Sequence, residues 1–209
     1  MIKSSTNIRS MVYIALFAAL FIVMSSLQFK FAASPVPITL QTLAVALAGL
    51  FLGARNGFFS ILIVVVLATI GLPLINGNGG FGMIAGPTGG FLVAFPFCAL
   101  LVGFFTSKLL HSSFAAKNRV ATAILLFVIF ELFSSFFAYV IGIPWLMQAT
   151  GLSFQKAMIN GCYPFLPGDA AKSVLAVIIT LALKPYILRI QASTSNKNAA
   201  PAVPFTTTP

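Results

Sequence analysis

Hydrophobic side chains form long runs along this chain, and polar side chains are confined to the stretches between them. A helix needs roughly 20 predominantly apolar residues to cross a bilayer. The pattern therefore predicts an all-α integral membrane protein, a compact bundle of six transmembrane helices within residues 1–190. The predicted spans are Met11–Leu27, Ile38–Ala54, Phe58–Leu74, Phe91–Leu110, Val120–Ile143 and Ala170–Leu188.

The composition of the chain also indicates an integral membrane protein, which is embedded in the lipid bilayer. Of 209 residues, 59% are hydrophobic and 7% are charged, whereas a soluble domain carries about a quarter charged residues. Lys3 and Arg9 precede the first run, as in a signal peptide. Five further runs follow, and Ser25-Ser26-Leu27-Gln28 is a poor cleavage site, so we keep the first run as a helix. The net charge of +10 does not indicate nucleic acid, because the basic residues flank apolar runs and act as topology signals.

The basic residues predict the orientation. With the N-terminus inside, nine of them fall on the cytoplasmic side and three on the outer side, which favours N-in and C-in. The inner set is Lys3, Arg9, Arg55, Lys108, Lys117, Arg119, Lys184, Arg189 and Lys197, and the outer set is Lys30, Lys156 and Lys172. The polar segment 191–209 is predicted to be a disordered cytoplasmic tail.

This orientation places three unusual segments on the outer side, 34–42, 71–90 and 161–172. The middle segment holds eight of the 16 glycines together with Asn76 and Asn78. Irregular backbone at membrane depth survives only where it is buried in protein or lines a cavity. We therefore expect the three segments to form an outward-facing site, with a flexible loop of no further role as the alternative for 71–90.

Asp169 and Lys172 open the sixth predicted span, and they include one of the two acidic residues of the chain. Asp169 suits a helix N-cap, and Lys172 lies on nearly the same helix face at i+3. The pair is either a local ion pair that caps the helix or a polar clamp for a small ligand. In the second case the neighbouring Phe165 contributes an apolar wall.

Two further positions leave alternatives open. Thr39 and Thr42 lie one turn apart and are candidate caps for the second span, while Gln41 is either a ligand contact or a helix–helix hydrogen bond. Glu131 lies near the middle of the fifth span, where an ionised group is costly. We expect Glu131 to be protonated, to face the bundle, or to pair with a partner such as Ser134 or Ser135, and proton coupling is the less favoured reading.

Catalysis is not indicated. The chain has no Walker motif and is not expected to hydrolyse ATP. No cofactor is expected, and the single histidine, His111, belongs to no His/Asp/Glu cluster that suits a metal. A membrane-embedded enzyme is therefore a weak alternative, and a purely structural membrane protein leaves the polar outer segments unexplained.

Three motifs together resemble the BioY family, the biotin-specific capture (S) components of energy-coupling-factor (ECF) transporters. The likeness runs from about residue 10 to residue 190. The matching segments are Val36-Pro37-Ile38-Thr39-Leu40-Gln41-Thr42-Leu43, Gly71-Leu72-Pro73 with Gly86-Pro87-Thr88-Gly89-Gly90-Phe91, and Pro164-Phe165-Leu166-Pro167-Gly168-Asp169 with Lys172.

The resemblance implies a biotin pocket near the outer face of the bundle, with Asp169 and Lys172 in its lining. It adds as candidates Asn76 or Asn78 and the matched residues Thr39, Gln41, Thr88 and Phe165. Asp169 is expected at the ureido end of biotin, while Lys172 is expected either beside Asp169 or at the carboxylate. An S component for thiamin or riboflavin is the alternative.

The resemblance also implies partners and a location. An S component of this family works in the bacterial cytoplasmic membrane with a coupling transmembrane subunit and two ABC-type ATPases. Ala15 and Ala19, with Ala18 beside them, form a small-residue pattern on the first span that permits close helix approach. This pattern predicts either a docking face for the coupling subunit or ordinary packing inside the bundle.

Overall fold

The computed structural model describes residues 3–29 and 36–194, and nearly all of them are helical. A short antiparallel pair of strands precedes the second helix, in which β1 (Gln28–Phe29) pairs with β2 (Ile38–Thr39). The helices are α1 (Lys3–Ser26), α2 (Gln41–Thr69), α3 (Phe81–Ala85), α4 (Gly89–Leu110), α5 (Ser113–Lys117), α6 (Arg119–Phe130), α7 (Phe137–Thr150), α8 (Phe154–Gly161) and α9 (Leu166–Thr194), with a π-helical segment at Glu131–Phe136.

The surface and the core of the bundle are both hydrophobic. Large side chains such as Phe21, Leu50 and Phe130 are fully buried, while Met11 and Val140 are more than three-fifths exposed. A soluble domain rarely leaves so much contiguous apolar surface open. An apolar exterior is the pattern expected of helices that contact lipid tails.

Among the described residues, five helical stretches are long and apolar enough to cross a membrane, which supports a multi-pass membrane protein. They are Ile8–Ser26, Gln41–Thr69, Gly89–Leu110, Arg119–Thr150 and Leu166–Thr194. Four of them match single predicted spans with shifted ends. The second contains most of two predicted spans, Ile38–Ala54 and Phe58–Leu74.

A sharp break at Gly53 divides α2 into two segments. Gly53 has φ 74° and ψ −179°, a backbone conformation that is essentially restricted to glycine. Beyond it, the chain folds back: a Cβ placed on Gly57 would lie 2.9 Å from the Cα of Gly49. In a straight helix these two residues would be about 12 Å apart at 1.5 Å per residue. The two halves of α2 are therefore packed against each other.

A side chain from α9 stabilises this reversal. The Nε2 amide of Gln191 donates to the carbonyl oxygen of Leu50 at 2.6 Å, just before the break. Such carbonyls lack intrahelical partners at a helix end. Gln191 is buried, and α9 continues to Thr194. The predicted boundary of the tail at residue 191 thus falls inside a helix, and residues 195–209 lie outside the described residues.

The glycine-rich segment 71–90 is irregular, as its composition indicates. Its regular structure is an isolated bridge between Ile75 and Asn78 and the short α3. Within the described part of the chain, Asn76 is the one non-glycine residue with positive φ, at 55°. Asparagine tolerates this region better than most residues. The turn brings the side chain of Asn76 back over the helical bundle.

A π-helical segment interrupts the span Arg119–Thr150. The six residues Glu131–Phe136 connect α6 to α7 and include the buried Ser134 and Ser135. The wider turn of a π-helix shifts the faces of the residues that follow, and such segments are frequent at functional sites. Here the segment directs Ser135 and, one turn later, Tyr139 toward the same cavity.

Candidate ligand-binding site

A cavity opens where the start of α2, the start of α4, the π-helical segment with α7, and the start of α9 converge under segment 71–90. It contains about 600 Å³ of empty space, including its open mouth. Its polar lining comprises Thr39, Gln41, Thr42, Asn76, Thr88, Ser135, Tyr139, Asp169 and Lys172. Its apolar lining comprises Val36, Pro37, Ile75, Phe91, Leu92, Phe95, Ala138, Gly161 and Phe165.

The buried Asp169 and the partly buried Lys172 form an ion pair in the first turns of α9. The Nζ of Lys172 lies 2.6 Å from Oδ1 of Asp169, and the Asp169 side chain is 2% exposed. The helix begins at Leu166, so Asp169 lies inside it and its backbone N–H donates to the carbonyl of Phe165. The expectation that Asp169 serves as the N-cap is therefore wrong, because α9 starts four residues before the predicted span, at Leu166 rather than Ala170.

Thr42 connects this pair to α2. Its hydroxyl donates to Oδ1 of Asp169 at 3.2 Å and accepts from the ammonium of Lys172 at 2.7 Å. The ammonium also donates to the backbone carbonyl of Thr39 at 3.2 Å. An ammonium has three donors, and in this arrangement Asp169, Thr42 and Thr39 accept all three. Lys172 therefore holds the two helices together in addition to facing the cavity.

Tyr139 is a member of the site that sequence reasoning missed. Its hydroxyl donates to Oδ2 of Asp169, and its ring packs edge-on against Phe91 with centroids 6.2 Å apart. A phenol inside an apolar span was the available signal, since buried tyrosine hydroxyls usually find a partner. The interaction fixes the second carboxylate oxygen of Asp169 at the cavity wall.

Three polar atoms of the lining are buried without a hydrogen-bond partner among the described residues. They are Nε2 of Gln41, Oδ1 of Asn76 and Oγ of Ser135. The Oε1 of Gln41 is engaged, since the Thr39 hydroxyl donates to it at 3.0 Å. An unsatisfied buried polar group costs about 1–3 kcal/mol. One free donor, one free acceptor and one hydroxyl around a cavity are the arrangement expected where a polar ligand completes the hydrogen bonds.

Aromatic and aliphatic side chains supply the remaining walls. Phe91, Phe95 and Phe165 are each at least nine-tenths buried, as are Ile75 and Leu92. Small-molecule sites are typically apolar with a few convergent polar groups that fix orientation. The cavity therefore suits a compact ligand with a flat or cyclic apolar part and a polar part that both donates and accepts.

Most of the sequence-predicted site residues meet at this cavity. Asn78 is the exception: it is exposed, its Nδ2 donates to the carbonyl of Asn76 at 3.1 Å, and it lines an outer groove that adjoins the cavity and shares Asn76 and Thr88 with it. The side chain of Asn78 thus supports the turn, whereas Asn76 reaches the cavity. Sequence alone treated the two amides as equivalent because the turn conformation decides which one points inward.

Glu131 pairs with a different residue from those predicted. Ser173 on α9 donates its hydroxyl to Oε2 of Glu131 at 2.6 Å. The expectation that the acid finds a hydroxyl partner holds, but Ser134 and Ser135 are not that partner. The local spacing suggested them, whereas tertiary packing brings Ser173 closer. Glu131 does not line the cavity, and the less favoured role in proton coupling stays a prediction.

The alanines of α1 divide between surface and core. Ala15 and Ala19 are exposed, and Ala18 is buried with Phe17 and Phe21. The small-residue pattern thus has two members on an open helix face, with Leu16 also exposed nearby. Ala18 packs inside the bundle and is not available to a partner on that face.

The fold and the cavity define a class: a multi-pass helical membrane protein with a small-molecule site beneath an irregular segment. Comparison with known proteins specifies the family. The chain matches the BioY family over residues 1–189. It is similar to the biotin transporter BioY of Rhizobium etli, with 36% identity over 173 residues that cover 82% of this chain and 90% of that protein. The probable biotin transporter BioY of Pyrococcus horikoshii shares 38% identity over 77% of this chain and 90% of its own length.

A solved structure agrees with these relatives. The crystal structure of the S-component for biotin from an ECF-type ABC transporter superimposes with a TM-score of 0.76 and 31% identity, over 88% of this chain and 95% of that one. This chain belongs to the BioY family, so the resemblance inferred from the three motifs is confirmed.

Proposed function

We propose that this chain is a biotin-binding S component that captures biotin for uptake, with the cavity above as its binding site and with no cofactor. The observation that carries the proposal is the combination of the Asp169–Lys172 pair with unsatisfied polar atoms in an otherwise apolar cavity. Membership in a family whose named relatives are biotin transporters identifies the ligand that this chemistry fits.

Biotin offers groups that complement the lining. Its ureido group has two N–H donors and one carbonyl acceptor, and its thioether ring is compact and apolar. Asp169 is the best acceptor for an N–H, because its carboxylate retains lone pairs beyond those used by the three side chains that bind it. The free Nε2 of Gln41 suits a carbonyl, and Oδ1 of Asn76 suits a further N–H.

Lys172 has two possible roles, which differ in whether its ammonium binds the carboxylate of biotin. In the first, Lys172 stays with Asp169 and Thr42 and orients the acid at the ureido end. In the second, it exchanges the carbonyl of Thr39 for the biotin carboxylate. We favour the first role, because all three donors of the ammonium already have acceptors within 3.2 Å.

We propose a topology of six transmembrane helices, with both termini in the cytoplasm. We count the two halves of α2 as two transmembrane helices, because Gln41 at the start of α2 and Asn76 beyond its end line the same cavity. A chain that leaves and returns to one side must cross twice. We infer from the excess of basic residues at the opposite end that the cavity opens on the outer side of a bacterial cytoplasmic membrane.

Transport then requires partners. We propose that a coupling transmembrane subunit and two ABC-type ATPases supply the energy, because this sequence contains no Walker motif. The exposed Ala15 and Ala19 offer α1 a flat face for close approach of another helix. Ala18 is not part of that face.

Isothermal titration of the purified protein with biotin, desthiobiotin and thiamin tests the ligand. We expect saturable heat with biotin at one site per chain. Desthiobiotin keeps the ureido group and the carboxylate but lacks the thioether bridge, so it should bind the same site more weakly. No heat with biotin, or tighter binding of thiamin, would overturn the proposal.

A further inference from the structure

A second cavity lies at the other end of the bundle, around the break in α2. It contains about 1450 Å³ of empty space, including its open mouth. Its walls come from both sides of Gly53, from the end of α4 around Gly103, and from the end of α9 around Gln191. It shares no lining residue with the biotin cavity.

The charged lining of this cavity is entirely basic. Arg55, Lys108 and the ionisable His111 line it. The chain has two acidic residues, and both are engaged elsewhere, Asp169 with Lys172 and Glu131 with Ser173. No carboxylate side chain of this protein is therefore left to neutralise the cavity. The positive-inside rule explains basic residues at this end of the helices, but it does not require them to surround a cavity.

Aromatic rings connect the basic groups to the lipid-facing surface. The Nζ of Lys108 lies 4.3 Å from the ring centroid of Phe104, and the guanidinium carbon of Arg55 lies 6.0 Å from that of Phe59. Phe104 lines the cavity and is 43% exposed, and Phe59 is 40% exposed. An occupant can therefore contact cations in the cavity and apolar surface beside it at the same time. A molecule that makes both contacts must carry a negative charge and an apolar part, as an amphiphilic anion does.

We propose that this cavity binds the headgroup of an anionic phospholipid. The phosphate group lies between Arg55 and Lys108, and the acyl chains run along Phe59 and Phe104 on the outside of the bundle. Arginine and lysine are the usual phosphate ligands, and basic pockets between transmembrane helices are suited to anionic lipid headgroups. A bound lipid would connect the second half of α2 to α4.

Native mass spectrometry of the detergent-purified full chain tests the site with defined lipids. Delipidated protein is titrated with phosphatidylglycerol, phosphatidylcholine or inorganic phosphate. We expect phosphatidylglycerol adducts at concentrations where phosphatidylcholine gives few. In the double variant Arg55→Gln/Lys108→Gln, affinity for phosphatidylglycerol should fall roughly 30-fold, given about 1 kcal/mol for each basic residue near a lipid surface.

The matched control is Lys117→Gln/Arg119→Gln, which removes the same charge from exposed positions outside the cavity. It should retain phosphatidylglycerol binding within about threefold of the parent chain. Equal losses in both double variants would overturn the proposal, because they would indicate general charge attraction. Displacement of the lipid by equimolar inorganic phosphate would also overturn it, since the site would then recognise a free anion. Unchanged gel-filtration profiles and thermal unfolding establish that both variants fold.

Discussion

The carboxylate of Asp169 and the ammonium of Lys172 differ in how much hydrogen-bonding capacity they retain. Lys172 uses its three donors on Asp169, Thr42 and Thr39. Asp169 accepts from Lys172, Thr42 and Tyr139, but a carboxylate has about four lone-pair positions. The acid therefore remains able to accept from a ligand, and substitution of the acid should affect ligand affinity directly.

Asp169→Asn should weaken biotin binding about tenfold or more, because hydrogen bonds to a charged acceptor contribute about 1.5–3 kcal/mol. Isothermal titration measures the change. Glu131→Gln is the control, since it makes the same acid-to-amide change at a residue that does not line the cavity and should bind biotin within about twofold of the parent chain. Binding by Asp169→Asn at the parent affinity would contradict a ligand role for the acid.

Ser135 offers a test that separates binding from folding. Its hydroxyl is buried without a partner among the described residues, so Ser135→Ala should leave the stability of the ligand-free protein unchanged or slightly higher. If the hydroxyl contacts biotin, affinity should fall about fivefold, from a typical hydrogen-bond contribution of about 1 kcal/mol. Thermal unfolding and titration of one preparation give both values. Ser134→Ala, at a buried neighbour outside the lining, should bind biotin normally.

Sequence could place the polar residues of the outer segments but not those inside the spans. Asp169, Lys172 and Gln41 stand out because they are polar at the ends of apolar runs. Tyr139 and Ser135 lie within such a run, where every helix face is hydrophobic and the pattern does not fix the rotation. The π-helical turn at Glu131–Phe136 also changes which residues after it face the cavity. The hydrophobic pattern of the sequence contains no signal for such a turn.

At the scale of elements, α2 shows why apolar runs predict helices better than their ends. Two predicted spans with a short loop between Ala54 and Phe58 correspond to two helical halves that meet at a single residue. No loop is needed, because Gly53 reverses the chain and the absence of a side chain on Gly57 lets the halves touch. The composition contained these glycines, but only the backbone geometry identifies the one at the turn.

Gly53→Ala should destabilise the protein by about 1–3 kcal/mol, because its φ and ψ fall in a region that side chains disfavour strongly. Gly151→Ala is the matched control. Gly151 also has positive φ, at 70°, but its ψ of 13° lies in the left-handed helical region and nothing lies within 4 Å of its added Cβ. Thermal unfolding in detergent should show a larger loss of stability for Gly53→Ala than for Gly151→Ala. Equal losses of stability would contradict a special backbone conformation at Gly53.

At the scale of the whole molecule, charge divides between the two ends of the bundle. Both acids lie on the side of the biotin cavity, Asp169 paired with Lys172 within α9 and Glu131 with Ser173 across elements, while Arg55 and Lys108 lie at the opposite end. This asymmetry agrees with an outward cavity and a cytoplasmic basic end. It makes a prediction about accessibility that does not depend on ligand binding.

Cysteine labelling in intact cells measures that accessibility. Cys98 and Cys162 are both buried. Burial, and to a lesser extent the nearby Asp169 carboxylate, raises the pKa of the Cys162 thiol. Neither natural thiol should therefore react readily. A background chain with both changed to alanine removes them altogether. Single cysteines are then introduced at exposed positions on the two sides, by Asn78→Cys and Lys117→Cys.

A membrane-impermeant maleimide should label the Asn78→Cys chain in intact cells and the Lys117→Cys chain only after lysis. Arg55→Cys extends the test to the six-helix topology, because the second half of α2 must cross between residues 55 and 78. It should behave as Lys117→Cys does. Labelling of the Arg55→Cys and Asn78→Cys chains from the same side would contradict two crossings by α2, and full reversal of the pattern would contradict an N-in orientation.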